Sequence, residues 1–82
     1  MITPANIAFT ILIKVKGRLK EFNFRKRSDN NYDANTNDEF SNRYFFRMEK
    51  GDGTWKIIGK DLPAWLLESE DLVGEELSQK DQ

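Results

Sequence analysis

The chain has 82 residues, 33% of them charged, with thirteen Lys and Arg against fourteen Asp and Glu. This length suits one domain, residues 1–82, with one small hydrophobic core. The sequence contains neither cysteine nor histidine, which excludes disulfides and thiol nucleophiles and removes the commonest general base and metal ligand.

The N-terminal segment contains no targeting signal that we can identify. Residues 1–6 lack the positive charge that begins a signal peptide, and the apolar run at 7–13 is too short to cross a membrane. We therefore expect a cytoplasmic protein without a membrane partner.

A first β-hairpin is predicted over residues 9–27. Apolar and polar side chains alternate through 9–16, which is typical of a half-buried strand. Gly17-Arg18 then predicts a type II′ turn into the second strand. The register that follows from this turn pairs Ile13 with Phe22, Ile11 with Phe24 and Lys14 with Glu21.

Residues 28–42 are rich in Asn and Asp and predict a long polar loop, either mobile or functional. Oxygen-bearing side chains recur at every second position, as in the calcium loop of an EF-hand: Asp29, Asn31, Asp33, Asn35 and Asn37. Ala34 replaces the required glycine and Phe40 the bidentate glutamate, so we favour a solvated loop and no metal site. Tyr32 and Phe40 are predicted to fasten this loop to the core.

A second hairpin is predicted over residues 43–59. Two strand-like runs, 43–49 and 54–58, flank the residues 50–53, whose Asp52-Gly53 pair is a strong hairpin signal. An even loop length, two residues or four, places five side chains on one face: Tyr44, Phe46, Met48, Trp55 and Ile57. The two-residue loop also sets Glu49 opposite Lys56.

The C-terminal residues 61–80 predict an amphipathic helix with Pro63 in its first turn. Its apolar stripe consists of Leu62, Trp65, Leu66, Leu72, Val73 and Leu77. We expect this stripe to cover the apolar sheet face rather than a separate partner, which makes Trp55 and Trp65 core or core-rim residues. Ser69 and Gly74 are weak points, with a bend or restart near Ser69, and 78–82 is predicted to be a frayed tail.

These elements predict an α+β fold, in which a four-stranded antiparallel sheet of two hairpins has one face covered by a C-terminal helix. The element order, four antiparallel strands and then a helix, resembles the unit of the Whirly and PUR-repeat families. Those families bind single strands, so the resemblance implies single-stranded nucleic-acid binding.

Charge is strongly segregated along the chain. Residues 14–27 carry seven basic residues and one acid, whereas residues 61–82 carry seven acids and one base. The second sheet face, left uncovered by the helix, is predicted to carry seven cations, two anions and three apolar residues: Lys14, Lys16, Arg25, Arg27, Arg43, Arg47, Lys56, Glu21, Glu49, Leu12, Phe45 and Ile58.

Two functions follow from this face. The first is a protein–protein contact or homodimer, because apolar side chains surrounded by charge are typical of such contacts. The alternative is single-stranded nucleic-acid binding, with cations on the phosphates and an aromatic ring against a base. The candidate binding residues are Lys14, Arg25, Arg27, Arg43, Phe45, Arg47 and Lys56. We expect no catalytic residue and no cofactor, because no acid–base pair, nucleophile motif or phosphate loop is present.

Overall fold

The computed structural model describes residues 8–80, and it is an α+β fold with five strands in the order β1-β2-β3-β4-β5, all antiparallel. The elements are β1 Ala8–Val15, β2 Arg18–Lys26, β3 Tyr32–Asn37, β4 Arg43–Gly51, β5 Thr54–Ile58, α1 Ala64–Glu68 and α2 Glu70–Lys80. The predicted class, the antiparallel sheet and the C-terminal helix are confirmed. The prediction made for residues 1–7 lies outside the described residues.

The number of strands was predicted wrongly, because the middle of the 28–42 segment is a strand. β3 lies at the centre of the sheet, paired with β2 and β4. Tyr32, Ala34 and Thr36 are buried, while the Asp and Asn residues between them face outward. The recurrence at every second position is therefore the period of a strand and not the spacing of calcium ligands. No group of three or more acidic side chains able to hold a metal ion occurs within residues 8–80.

The first hairpin has the predicted faces but not the predicted register. Its turn is Lys16-Gly17, with φ of 51° and 82°, which is the pattern of a type I′ turn. Phe22 therefore lies opposite Ile11 rather than Ile13. The predicted pairing of Lys14 with Glu21 is also wrong, because Lys14 lies opposite Leu19 and Glu21 opposite Leu12. A shift of two residues leaves every side chain on its original face.

The second hairpin agrees with its prediction. Asp52-Gly53 forms the turn, with φ of 52° and 81°, and Glu49 lies opposite Lys56. Phe46, Met48, Trp55 and Ile57 are buried and Tyr44 is half-buried. Of the two even loop lengths that the apolar pattern allows, the two-residue loop is therefore the one that forms.

The C-terminal helix is divided at Ser69, as predicted. The Ser69 hydroxyl donates to the Leu66 carbonyl oxygen at 2.7 Å, and α2 begins at the next residue. Leu66, Val73 and Leu77 are fully buried, whereas Leu72 is 39% exposed and does not belong to the buried stripe. The segment predicted to fray is helical as far as Lys80, and residues 81 and 82 lie outside the described part.

The helix packs against both edges of the sheet. α2 contacts β5 and also β1, although in a flat sheet these strands would lie about 19 Å apart. The sheet must therefore curl around the helix. The Ile57 N–H of the β5 edge donates to Glu70 Oε2 at 2.8 Å. Neither helix within residues 8–80 has the length and apolarity needed to cross a membrane.

Candidate interaction face

We use the term open face for the outward side chains of the sheet, on the side opposite the helix. All of the candidate binding residues lie on it, exposed or, for Arg27, half-buried: Lys14, Arg25, Arg27, Arg43, Phe45, Arg47 and Lys56. Lys16 was also predicted there but lies in the β1–β2 turn, where its ammonium group pairs with Glu68 of α1 at 3.0 Å. Lys16 therefore belongs to the helix side.

The open face carries two pairs of exposed apolar side chains, between 45% and 68% exposed. Leu12 of β1 and Leu19 of β2 are diagonal neighbours, because Leu12 lies opposite Glu21. Phe45 and Ile58 are diagonal neighbours across β4 and β5. The sequence analysis missed Leu19, although the alternation through β2 places it on the same side as Glu21.

A row of polar side chains separates the two apolar pairs. Thr10 Oγ1 donates to Asn23 Oδ1 at 2.7 Å, and Asn23 Nδ2 donates to Asn35 Oδ1 at 3.0 Å. The Arg43 guanidinium donates to the same Asn35 oxygen. These bonds fix the orientation of both side-chain amides. The row was not predicted, because Asn35 belongs to the unpredicted strand.

Carboxylates neutralise part of the positive charge. Arg27 pairs with Asp33 at 2.9 Å and with Asp29 at 3.3 Å. The hydrogen bond to Asp33, and after it the one to Asp29, raises the pKa of Arg27. Arg47 pairs with Glu49 at 3.1 Å. Asp33 and Asp29 come from the 28–42 segment, so the sequence analysis did not count them. The open face is therefore mixed in charge rather than uniformly basic.

Four candidate cations have no carboxylate partner in the described part of the chain: Lys14, Arg25, Lys56 and Arg43, whose guanidinium donates to the Asn35 amide oxygen. Arg25 lies beside a shallow trough of about 320 Å³ on the open face, whose lining includes Asn35 and Phe45. The trough thus combines a guanidinium group, side-chain amides, an exposed aromatic ring and the Asp33 carboxylate.

Comparison with known proteins gave no match to any family model, curated protein or solved structure. The five-stranded sheet also differs from the four-stranded unit of the Whirly and PUR-repeat families. The function of the open face must therefore be inferred from its own chemistry.

Proposed function

We propose that the protein is a small interaction module that forms a homodimer through its open face. The observation that carries the proposal is the pair of apolar clusters, Leu12 with Leu19 and Phe45 with Ile58, on opposite halves of one exposed surface. Exposed apolar side chains surrounded by charge are typical of protein contacts. The proposal assigns no catalytic role, cofactor or metal, and it retains the cytoplasmic location predicted from the sequence.

The positions of the two clusters suit a twofold interface. Both copies in such an interface use the same surface, which must complement itself. The curl of the sheet makes the open face convex, and a twofold axis lying in the interface midway between the clusters turns Leu12 and Leu19 of one copy towards Phe45 and Ile58 of the other. The same axis brings the polar row near its own counterpart. Side-chain amides such as that of Asn35 both donate and accept, so they can pair with themselves.

The charge of the open face is also compatible with self-association. A uniformly basic surface would repel its own copy, because like charges brought together in an interface are unfavourable. Here the carboxylates of Glu21, Asp33 and Glu49 alternate with the cations. Two copies can therefore meet with opposite charges adjacent.

The oligomeric state tests the proposal directly. In sedimentation velocity from about 5 to 500 µM, we expect the mean mass to rise from 9.6 kDa towards twice that value. Phe45→Asp should keep the protein monomeric, because it places a charge in the apolar contact. The matched control is Phe40→Asp, which changes a phenylalanine that is more exposed than Phe45 and lies outside the open face, and this variant should still dimerise.

Two results would refute the homodimer. One is a wild-type protein that stays monomeric over the whole range. The other is a dimer that Phe45→Asp and Phe40→Asp weaken equally.

A second candidate function is single-stranded nucleic-acid binding in the trough beside Arg25. The observation that favours it is the combination of Arg25, Asn35 and exposed Phe45 around one depression. Affinity for a short oligothymidylate should then fall steeply with salt, and the double change Arg25→Glu/Arg47→Glu should abolish it. Binding that ignores salt or survives the double change would exclude this function.

A further inference from the structure

A second depression lies on the helix side, between the β1–β2 turn, the β3–β4 turn and the start of α1. We call it the Phe40 cleft; it measures about 240 Å³, and it is lined by Val15, Lys16, Arg18, Lys20, Asp38, Glu39, Phe40 and Trp65. None of these residues belongs to the two apolar clusters of the open face. The cleft brings together two aromatic rings, three cations and two carboxylates, of which Glu39 pairs with Arg18 and Asp38 accepts hydrogen bonds from its own turn and from Tyr44.

Phe40 is held in an exposed position by a well-ordered turn. Its ring is 82% exposed, contrary to the prediction that it fastens this segment to the core. The Asp38 carboxylate accepts hydrogen bonds from the backbone N–H groups of Phe40 and Asn42 at 2.8 and 2.9 Å. It also accepts from the Asn42 amide and the Tyr44 hydroxyl, both at 3.0 Å. A ligand that covers the ring would therefore meet a backbone that is already ordered, which lowers the entropic cost of binding.

The second aromatic ring of the cleft is half-buried and electron-rich. The rings of Tyr44 and Trp65 form a T-shaped pair with centroids 6.2 Å apart, and the Lys20 ammonium group lies 4.6 Å from the Trp65 centroid. The sequence predicted Trp65 only as a core-rim residue. Besides bordering the core, Trp65 therefore contributes to the cleft an aromatic surface that lies next to the Lys20 cation.

The cations of the cleft can exchange their present partners for a stronger anion. Lys16 pairs with Glu68 and Arg18 with Glu39, each at 3.0 Å, and all four side chains are about half exposed or more. Exposed pairs of this kind contribute little to stability. A phosphate offers Arg18 a bidentate, charge-assisted contact that competes well with a single carboxylate oxygen. Within residues 8–80, Lys20 has no carboxylate partner.

We propose that the Phe40 cleft binds one nucleoside monophosphate unit. The base lies against Phe40 and Trp65, and the phosphate is bound by Arg18 together with the neighbouring lysines. The cleft is smaller than the roughly 300 Å³ at which pockets for drug-sized ligands begin, so it has no room for a second nucleotide. A free nucleotide and the terminal nucleotide of a strand present the same chemistry. This site is independent of the homodimer, because it uses the other side of the sheet.

NMR titration of the ¹⁵N-labelled protein tests this site. AMP should shift the amides of Arg18 and Phe40 and the indole N–H of Trp65, and adenosine or inorganic phosphate alone should bind at least about tenfold more weakly. Phe40→Ala and Arg18→Glu should each weaken AMP binding about tenfold or more. Leu72→Ala is the control, and it should leave AMP binding unchanged because Leu72 is exposed on α2 and lies outside both the cleft and the open face.

A 5′-phosphorylated pentanucleotide distinguishes the two sources of the ligand. Affinity equal to that of AMP indicates that one unit is sufficient, whereas clearly tighter binding through the same residues indicates the end of a strand. The proposal is overturned if about 10 mM AMP does not change the chemical shifts of the Arg18 and Phe40 amides and the Trp65 indole N–H. It is also overturned if Phe40→Ala binds AMP as the wild type does.

Discussion

Substitution of Gly74 tests the packing of α2 against β5. A Cβ atom at this position would lie 3.1 Å from Trp55 Cβ and 3.7 Å from the Trp55 carbonyl oxygen. Alanine gains about 1 kcal/mol of helix propensity, which offsets the small displacement that its methyl group requires. We therefore expect the free energy of unfolding of Gly74→Ala to lie within about 1 kcal/mol of the wild-type value.

Valine at the same position adds two further methyl groups against Trp55, where the helix cannot move without exposing Val73 and Leu77. We expect Gly74→Val to lose about 1–3 kcal/mol. In a domain of this size, each kcal/mol lowers the melting temperature by about 4–8 °C. Urea unfolding followed by tryptophan fluorescence would measure the loss as a lower midpoint at an unchanged slope.

Glu75→Val is the matched control, because it introduces the same side chain at the exposed neighbouring position. It should lose only a few tenths of a kcal/mol of helix propensity. If Gly74→Val is no less stable than Glu75→Val, α2 does not lie on Trp55 and the packing described here is wrong.

Three further predictions concern β3 and the turn after it. Thr36→Val should lose about 1 kcal/mol in urea unfolding, because the buried Thr36 hydroxyl donates to the Glu21 carbonyl oxygen at 2.8 Å; an unchanged midpoint would argue against this bond. The Asn42 side-chain amide, foremost among several donors, lowers the pKa of Asp38 to about 2. The pKa of an Asp carboxyl in an unfolded chain is about 3.9. The stabilisation of the fold by the ionised Asp38 carboxylate should therefore be complete above pH ~4 and be lost as the pH falls towards 2. The Phe40 amide shift should titrate with that low midpoint, and one near 4 would contradict the hydrogen-bonded turn. Because Tyr32 is buried and Phe40 exposed, Tyr32→Ala should lower the free energy of unfolding by about 3–5 kcal/mol and Phe40→Ala by less than about 0.5, as measured by thermal unfolding. Similar losses in the two variants would contradict this difference in burial.

The second hairpin is the part of the fold that the sequence predicted in most detail. The apolar alternation allows a loop of two residues or of four, and the two-residue turn that forms, Asp52-Gly53, is the one that sets Glu49 opposite Lys56. The helix break at Ser69 was predicted because serine interrupts the apolar stripe there. The division of the β1, β2, β4 and β5 side chains between a buried and an open face followed from alternation alone.

The central strand was missed because its composition suggests a loop. Asn and Asp favour turns, and of the buried residues in β3 only Tyr32 is large; Ala34 and Thr36 give a weak apolar signal. The first hairpin was misregistered because turns at 16–17 and 17–18 place the same side chains inside. Alternation cannot distinguish between them.

The candidate site was predicted in position but not in charge or shape. Its cations follow from alternation along strands that the sequence revealed, whereas the partners Asp33 and Asn35 lie on β3. The Phe40 cleft was not predicted, since it combines two turns and a helix start that are distant in the sequence.

Isotope-filtered NOE spectroscopy on a mixture of labelled and unlabelled protein tests the homodimer most directly. At concentrations where the mean mass approaches that of two chains, we predict intermolecular contacts from the Leu12 and Leu19 methyl groups to the Phe45 ring and the Ile58 methyl groups. Intermolecular contacts confined to α2 or to the β1 edge, or none from the open face, would contradict the proposed interface.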